Sequence, residues 1–265
     1  MAQVQIPALN RGAAVKPSSA HRLSLLLLPG MDGDGRLFNR LRAALESKLG
    51  LCVDVVSYND LAISSYDDIE ADVRSQLAGL GPVVLVGESF SGPVVVRLCA
   101  APPSNLVAGV VVSSFPYSPV PAPHWLSPVL SRLILYFRPP RWALRLALVG
   151  RGADEDLVDE VQSVISGTSK QLLSSRLRAI MQVDVRAALA DCRLPMLGIR
   201  ASKDRLVSRS VNRQLSRSCA GMAEVELDGP HLLAQVNPMG VAHEIEVFLR
   251  SLEVETSGVA GPRGI

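Results

Sequence analysis

The stretch VVLVGESFSGPVVVRLCA, residues 83–100, decides how the chain is read. An apolar β-rich run, 83–87, leads into small residues around Ser89, and a helical pattern follows over 90–101. A chain that reverses sharply from strand to helix holds its turn residue in a strained backbone. It needs small neighbours two residues before and two after, because strand and helix come very close there. Gly87 meets the first need. Ser91 stands where the second glycine is expected, and Gly92 adds room beside it. Two readings compete: a nucleophile elbow with a mild substitution, or a Gly/Ser-rich turn after a strand. If the first holds, Ser91→Gly preserves activity and a bulky residue at 91 forces strand and helix apart.

The rest of the chain alternates in the same way. Short, nearly continuous apolar runs lie at 23–28, 51–57, 83–87, 107–113, 195–200 and 222–227, as expected of strands buried on both faces. Helical patterns at 35–49, 67–80, 90–101, 209–219 and 239–252 separate them. Strand and helix in alternation predict a mostly parallel sheet with helices on both faces. The alternation breaks from about 115 to 190. That block opens with FPYSPVPAPHWLSP, too rich in proline for a central strand, and continues as helical segments at 125–137, 140–149, 154–166 and 169–181. The expected organisation is a flexible segment over 1–20, a core over 21–114 and 191–253, a helical cap insertion over 115–190, and a disordered tail over 254–265. An insertion placed so would cover the strand C-termini, where open α/β sheets bind ligands.

Bulk properties narrow the function. A chain of 265 residues, 48% apolar, buries a full core, and its net charge of +2 makes no electrostatic case for nucleic acid. Cys52, Cys99, Cys192 and Cys219 show no C-x-x-C spacing, so neither a metal site nor a redox motif is indicated. No run reaches the roughly 18 apolar residues that span a membrane. The run LSLLLLPG is followed by no small-residue cleavage site, and a cytoplasmic protein is expected. No feature fixes an oligomeric state.

A serine nucleophile needs a base. In a fold of this kind the order along the chain is serine, acid, histidine. His21 precedes Ser89, His124 sits in the proline-rich block, and His243 lies within a helical pattern. His231 stands on a Gly-Pro loop between the last strand and the last helix, LDGPHLLAQVNP. No Asp or Glu occurs from Ser113 to Ala153, which leaves Asp204 in RASKDRLVS as the acid. Asp204 also reads as a helix N-cap or as a partner for Lys203 or Arg205. The oxyanion that acyl transfer creates needs donors already aimed at it. The backbone N–H of Phe90, after the nucleophile, is one; the N–H of Met31, in the loop LPGMDGDG, is the other.

With these residues in place the chain resembles the α/β-hydrolases over roughly residues 22–252. The resemblance is carried by LLLLPGMDGDGRLF, VLVGESFSG, IRASKDRLVS and LDGPHLLAQVNP, in the family's order. LPGMDG with GESFSG resembles a subgroup of small bacterial hydrolases. Many members have His-Gly where this chain has Pro29-Gly30. The resemblance implies a capped serine hydrolase without a cofactor, with Ser89, His231 and Asp204 as its triad and a small-molecule ester as its substrate. An acyltransferase or thioesterase would use the same triad, and a ligand-binding protein on the fold is a third reading. The insertion holds six of the eleven aromatics; Phe115, Trp125, Tyr136, Phe137 and Trp142 are candidate pocket walls or, equally, helix core. Its segment SRLILYFRPPRWALRLALVGR, with Arg132, Arg138, Arg141, Arg145 and Arg151, reads as a solvated cap face, with membrane-surface contact the lesser alternative. Glu88, beside the nucleophile, reads as a hydrogen-bonding support or a substrate contact.

Overall fold

The computed structural model describes residues 23–58, 60, 63–120, 124–126, 128–129 and 139–258. Six parallel strands form one sheet: β1 (Ser24–Leu28), β2 (Cys52–Val55), β3 (Val83–Glu88), β4 (Leu106–Val112), β5 (Met196–Ala201) and β6 (Met222–Leu227). Their order is β2-β1-β3-β4-β5-β6, so β3 is central and the elbow at its end faces the middle of the sheet edge. The expected α/β-hydrolase architecture is thus present, with each strand within three residues of its expected bounds.

Side chains alternate across a strand, and the two halves of each apolar run feed two cores. Leu26, Leu28, Val83, Leu85 and Val111 face one side. There they pack on α2 (Tyr66–Leu77) and α3 (Gly92–Ala100). Leu25, Leu27, Val84, Val86, Val110 and Ile199 face the other. They meet α1 (Asn39–Leu49) and the last helix, which runs Pro238–Gly258. That helix continues past residue 253, where a disordered tail was expected. The segment EVETS contains no helix breaker, and the helix runs on to Gly258, the last described residue. At the sheet's edge β6 is half exposed. Arg200 on β5 pairs with Glu224 and Glu226 of β6, so charges rather than apolar residues line this edge.

Helix ends follow their sequence signals. Ser65 and Asp68 form a reciprocal capping box at the start of α2. A proline occupies the first turn of α3, where its missing N–H costs nothing.

The insertion leaves after β4 and returns to it. Ser118 N–H donates to Val183 O (3.2 Å) and Val185 N–H to Pro116 O (2.7 Å), around an antiparallel bridge between Tyr117 and Asp184. Between these points lie α4 (Arg141–Leu144, continuing as a π turn over Arg145–Val149), α5 (Glu155–Gly167) and α6 (Lys170–Gln182). The next helix, α7 (Arg186–Asp191), falls within the block read as insertion but packs as core. Leu189 is fully buried in the same cluster as Val95 and Cys99. The chain has already closed on itself at Val185, so the residues beyond that point are free to rejoin the sheet. Arg141 and Arg145 of the basic segment pair with Glu155 and Asp159 of α5, as a solvated face would; residues 131–138 lie outside the described ones. No helix among the described residues is long and apolar enough to cross a membrane.

A second close strand–helix approach, away from the elbow, is at Gly109 of β4. A Cβ there would sit 2.6 Å from Cys99 Sγ and 2.9 Å from Val95 Cγ1, both on α3. Gly109→Ala should therefore destabilise the fold by about 1–3 kcal/mol. In a double-mutant cycle read by urea unfolding, Cys99→Ala should return about 1 kcal/mol of that loss.

Candidate active site

The elbow is built as its strain requires. Ser89 follows directly on β3 with φ +50°, a left-handed backbone that a non-glycine residue adopts at a cost, and one 3-10 turn joins it to α3. A Cβ on Gly87 would lie 2.6 Å from Val95 Cγ2 and 2.9 Å from the Ser91 carbonyl oxygen. A Cβ on Gly92 would lie 1.8 Å from Ser114 Oγ. The glycine that this turn demands on its helix side is therefore Gly92. Ser114 Oγ donates to the Ser89 carbonyl (2.7 Å) and braces the strained residue from the adjacent strand.

Ser91, the odd residue of the motif, is fully buried and has its own task. Its hydroxyl, the Tyr58 phenol and the Pro29 carbonyl oxygen form a buried triangle within hydrogen-bonding reach of one another, in which the two hydroxyl protons fill two of the three contacts and at least one is donated to the carbonyl. Elbow, β2 loop and the loop after β1 thus meet at one buried oxygen. Burial pushes the Tyr58 phenol well up, so it stays a donor.

His231 and Asp204 arrive on the two loops that sequence pointed to. His231 Nε2 lies 2.8 Å from Ser89 Oγ, and His231 Nδ1 lies 2.8 Å from Asp204 Oδ2. The two side chains are 4% and 7% exposed. The other carboxylate oxygen of Asp204 accepts the N–H groups of Leu206 (2.8 Å) and Val207 (2.9 Å), which fixes its plane. Asp204 is not the helix N-cap; Ser208 is. Nor does it pair with Lys203, which reaches Asp228 (2.8 Å) instead and ties the acid loop to the histidine loop. An Nδ1–H donated to Asp204 leaves the Nε2 lone pair facing the serine hydroxyl. His243 stays on the surface, 58% exposed, as a helical pattern implies.

Glu88 stands beneath this chain. It is buried, and its carboxylate accepts from Gln235 Nε2 (2.8 Å) and the Ala234 N–H (3.4 Å), so it anchors α8 (Leu233–Val236), the short helix just after His231, to the end of β3. Burial pushes its carboxyl up to about 7, against the opposing effect of the Gln235 bond.

The loop after β1 turns at Gly33 (φ +65°), whose N–H donates to the Gly30 carbonyl (3.1 Å). Met31 is half-buried against the core cluster that contains Phe90, and Phe90 stacks on Tyr66 with centroids 4.9 Å apart. The pocket-wall candidates separate. Phe115 is 2% exposed within the core, whereas Trp125 and Trp142 are each 68% exposed. Tyr136 and Phe137 lie outside the described residues.

Three supports escaped the sequence reading: Tyr58, Ser114 and Arg176. Arg176 of α6 is fully buried and donates to the carbonyls of Met31 (2.8 Å) and Tyr58. Its signal was present: Leu172, Arg176 and Ile180 share one helix face, a lone cation in an apolar stripe. Tyr58 and Ser114 come after strands without any motif to mark them.

A profile of the alpha/beta hydrolase family matches residues 25–244. The chain belongs to the alpha/beta hydrolase family. No curated protein matches it in sequence. Among solved structures, this hydrolase-family chain is similar to the enol-lactonase from Burkholderia xenovorans LB400. That match has a TM-score of 0.74 at 17% identity, covering 88% of this chain and 94% of the other. It is similar also to a thermophilic esterase from Thermogutta terrifontis, with a TM-score of 0.72 at 15% identity, covering 87% and 90%. A bromoperoxidase from Bacillus anthracis matches with a TM-score of 0.70 at 16% identity, covering 86% and 92%. At these identities the likeness is one of fold.

Two predictions concern the elbow's supports. Ser91→Gly should cost about 1 kcal/mol in urea unfolding through the lost hydrogen bonds, while Ser91→Leu should leave little folded protein in circular dichroism. For Glu88, the fold favours the neutral carboxyl, so the unfolded chain binds fewer protons and stability falls as pH rises from about 4.5 to about 7. The fall should be roughly 3 kcal/mol. Glu88→Gln should flatten it, making the variant more stable than wild type at pH 8, as compared by urea midpoints at pH 5 and 8.

Proposed function

We propose that the chain is a serine hydrolase that cleaves carboxylic esters of small to medium, fairly apolar acyl groups through an acyl-enzyme on Ser89. The observation that carries the reading is the continuous contact Ser89 Oγ to His231 Nε2 to His231 Nδ1 to Asp204 Oδ2, 2.8 Å at each hydrogen bond, mounted on a left-handed elbow. The names of two structural neighbours, an enol-lactonase and an esterase, accord with it.

In this mechanism Ser89 Oγ attacks the ester carbonyl while His231 Nε2 takes its proton. Asp204 stabilises the imidazolium without accepting the proton itself. The N–H groups of Phe90 and Met31 receive the oxyanion, each worth roughly 10²–10³ in rate for such a donor. His231 then protonates the leaving alcohol, and water activated by the same nitrogen releases the acid. Trp125 and Trp142, exposed on the inserted segment, are candidate contacts for the acyl chain.

A fluorophosphonate should label Ser89 alone, as located by peptide mass spectrometry. Ser89→Ala should abolish the adduct, and His231→Ala should slow labelling by at least about 10³-fold. An adduct elsewhere, or undiminished labelling of His231→Ala, overturns the proposal. Adding an alcohol during turnover of a p-nitrophenyl ester measures acyl transfer against hydrolysis; hydrolysis should dominate.

A further inference from the structure

We propose that Arg176 is a positioning residue for the oxyanion hole. It pins the Met31 carbonyl, on the peptide that follows the one presenting the Met31 N–H, and so fixes the far side of that donor. The inference rests on the hydrolase reading and adds to it a part supplied by the inserted segment.

The geometry runs through three consecutive carbonyls. Pro29 O is held by Tyr58 and Ser91, and Met31 O by Arg176 Nη1 at 2.8 Å. Between these two anchored peptides lies the Gly30–Met31 peptide, whose own carbonyl accepts the Gly33 N–H at 3.1 Å. A trans peptide is planar, with N–H and C=O pointing opposite ways. With the Gly30 carbonyl turned into the Gly33 turn, the Met31 N–H is directed out of it. Removing Arg176 frees the far anchor and lets this peptide rotate.

The turn is shaped to the guanidinium. Gly33 has φ +65°, and a Cβ there would lie 2.4 Å from Arg176 Nη1. The second arm, Nη2, donates to Tyr58 O, so one planar fork joins the oxyanion loop to the residue that holds Pro29. The guanidinium carbon is 5.2 Å from the Tyr58 ring centroid and 5.8 Å from that of Phe90, the residue with the other donor. The guanidinium therefore packs on the side chains of both Tyr58 and Phe90 and holds the loop after β1 against them.

Stability gives a poor account of this arginine. It is fully buried, its Nε has no partner among the described residues, and desolvation lowers its pKa from the usual value. Asp32, the carboxylate whose charge bears on it, is itself occupied by the Asp34 N–H at 3.0 Å. Its two hydrogen-bond acceptors are neutral carbonyls rather than carboxylates, so the cost of burying the cation is only partly offset.

The test compares Arg176→Met and Arg176→Lys with wild type. It follows kcat and KM on p-nitrophenyl butyrate, inhibition by butaneboronic acid as a tetrahedral anion on Ser89, and thermal melting. Arg176→Met, which leaves the Met31 and Tyr58 carbonyls without this donor, should melt only a few degrees below wild type yet lose about 30- to 300-fold in kcat. KM should stay within about threefold, and the boronic acid should weaken in step with kcat. Arg176→Lys, which keeps a charge and at most part of the fork, should recover about tenfold of that loss. A folded Arg176→Met with kcat within about threefold of wild type overturns the inference, and so does a loss shared equally by both variants and matched by a lower melting temperature. If Arg176→Met does not fold, Arg176→Lys decides: wild-type kcat there is equally fatal. The Ser89 adduct of the wild-type protein separates the two levels. Its absence removes the hydrolase reading and this inference together, whereas its presence with an indifferent Arg176 removes only this one.

Discussion

Strand and helix meet at Ser89 more closely than any side chain on Gly87 or Gly92 would allow, and most of the site is arranged around that approach. The approach forces Ser89 into a left-handed backbone and lifts its hydroxyl clear of the sheet edge. Holding such a residue requires that its neighbours over-determine it. Ser114 grips its carbonyl, and Ser91 ties the next turn to Pro29. Glu88, just before it, fastens the helix that comes after the histidine. The Ser89–His231 hydrogen bond is one of several that converge on the same few residues.

The inserted segment takes part in this arrangement. Its α5 buries Val158, Val161 and Val164 in a cluster completed by Leu37, beyond the loop after β1, and Leu232, beside His231. The Leu232 N–H also donates to Leu148 O at 2.9 Å, on the π turn that ends α4. Both loops that flank the serine therefore rest partly on the insertion. Their order depends on packing contributed by residues far away in sequence.

The legible parts of the sequence were those whose physics is local. The apolar runs of β1, β3 and β4 could only be strands buried on both faces, and the small residues after β3 could only serve a tight turn. Asp204 and His231 were found because few alternatives existed on loops at the right edge. The features that stayed hidden depend on pairs distant in sequence. Ser91 looked like a tolerated substitute for glycine, because nothing nearby announces Tyr58 or the Pro29 carbonyl as its partners. The second boundary of the insertion is hard to read because α7 carries the same helical pattern whichever layer it joins. The exposed positions of Trp125 and Trp142 arise from packing that composition does not encode.

The stem at 116–118 and 183–185 brings the two ends of the insertion together as one bridge. To the core, the whole insertion thus presents itself as a single short loop, and closing a loop costs entropy that grows only slowly with its length. Such a junction lets an insertion lengthen, shorten or be exchanged with little effect on the sheet. Here that freedom is curtailed from the other side. A transplanted cap would fit the stem, but it would arrive without Leu157 and Val161 to support the loops and without the guanidinium that grips Met31. Core and insertion in this chain are therefore joined twice, once through the stem and once through the side chains that hold the loops.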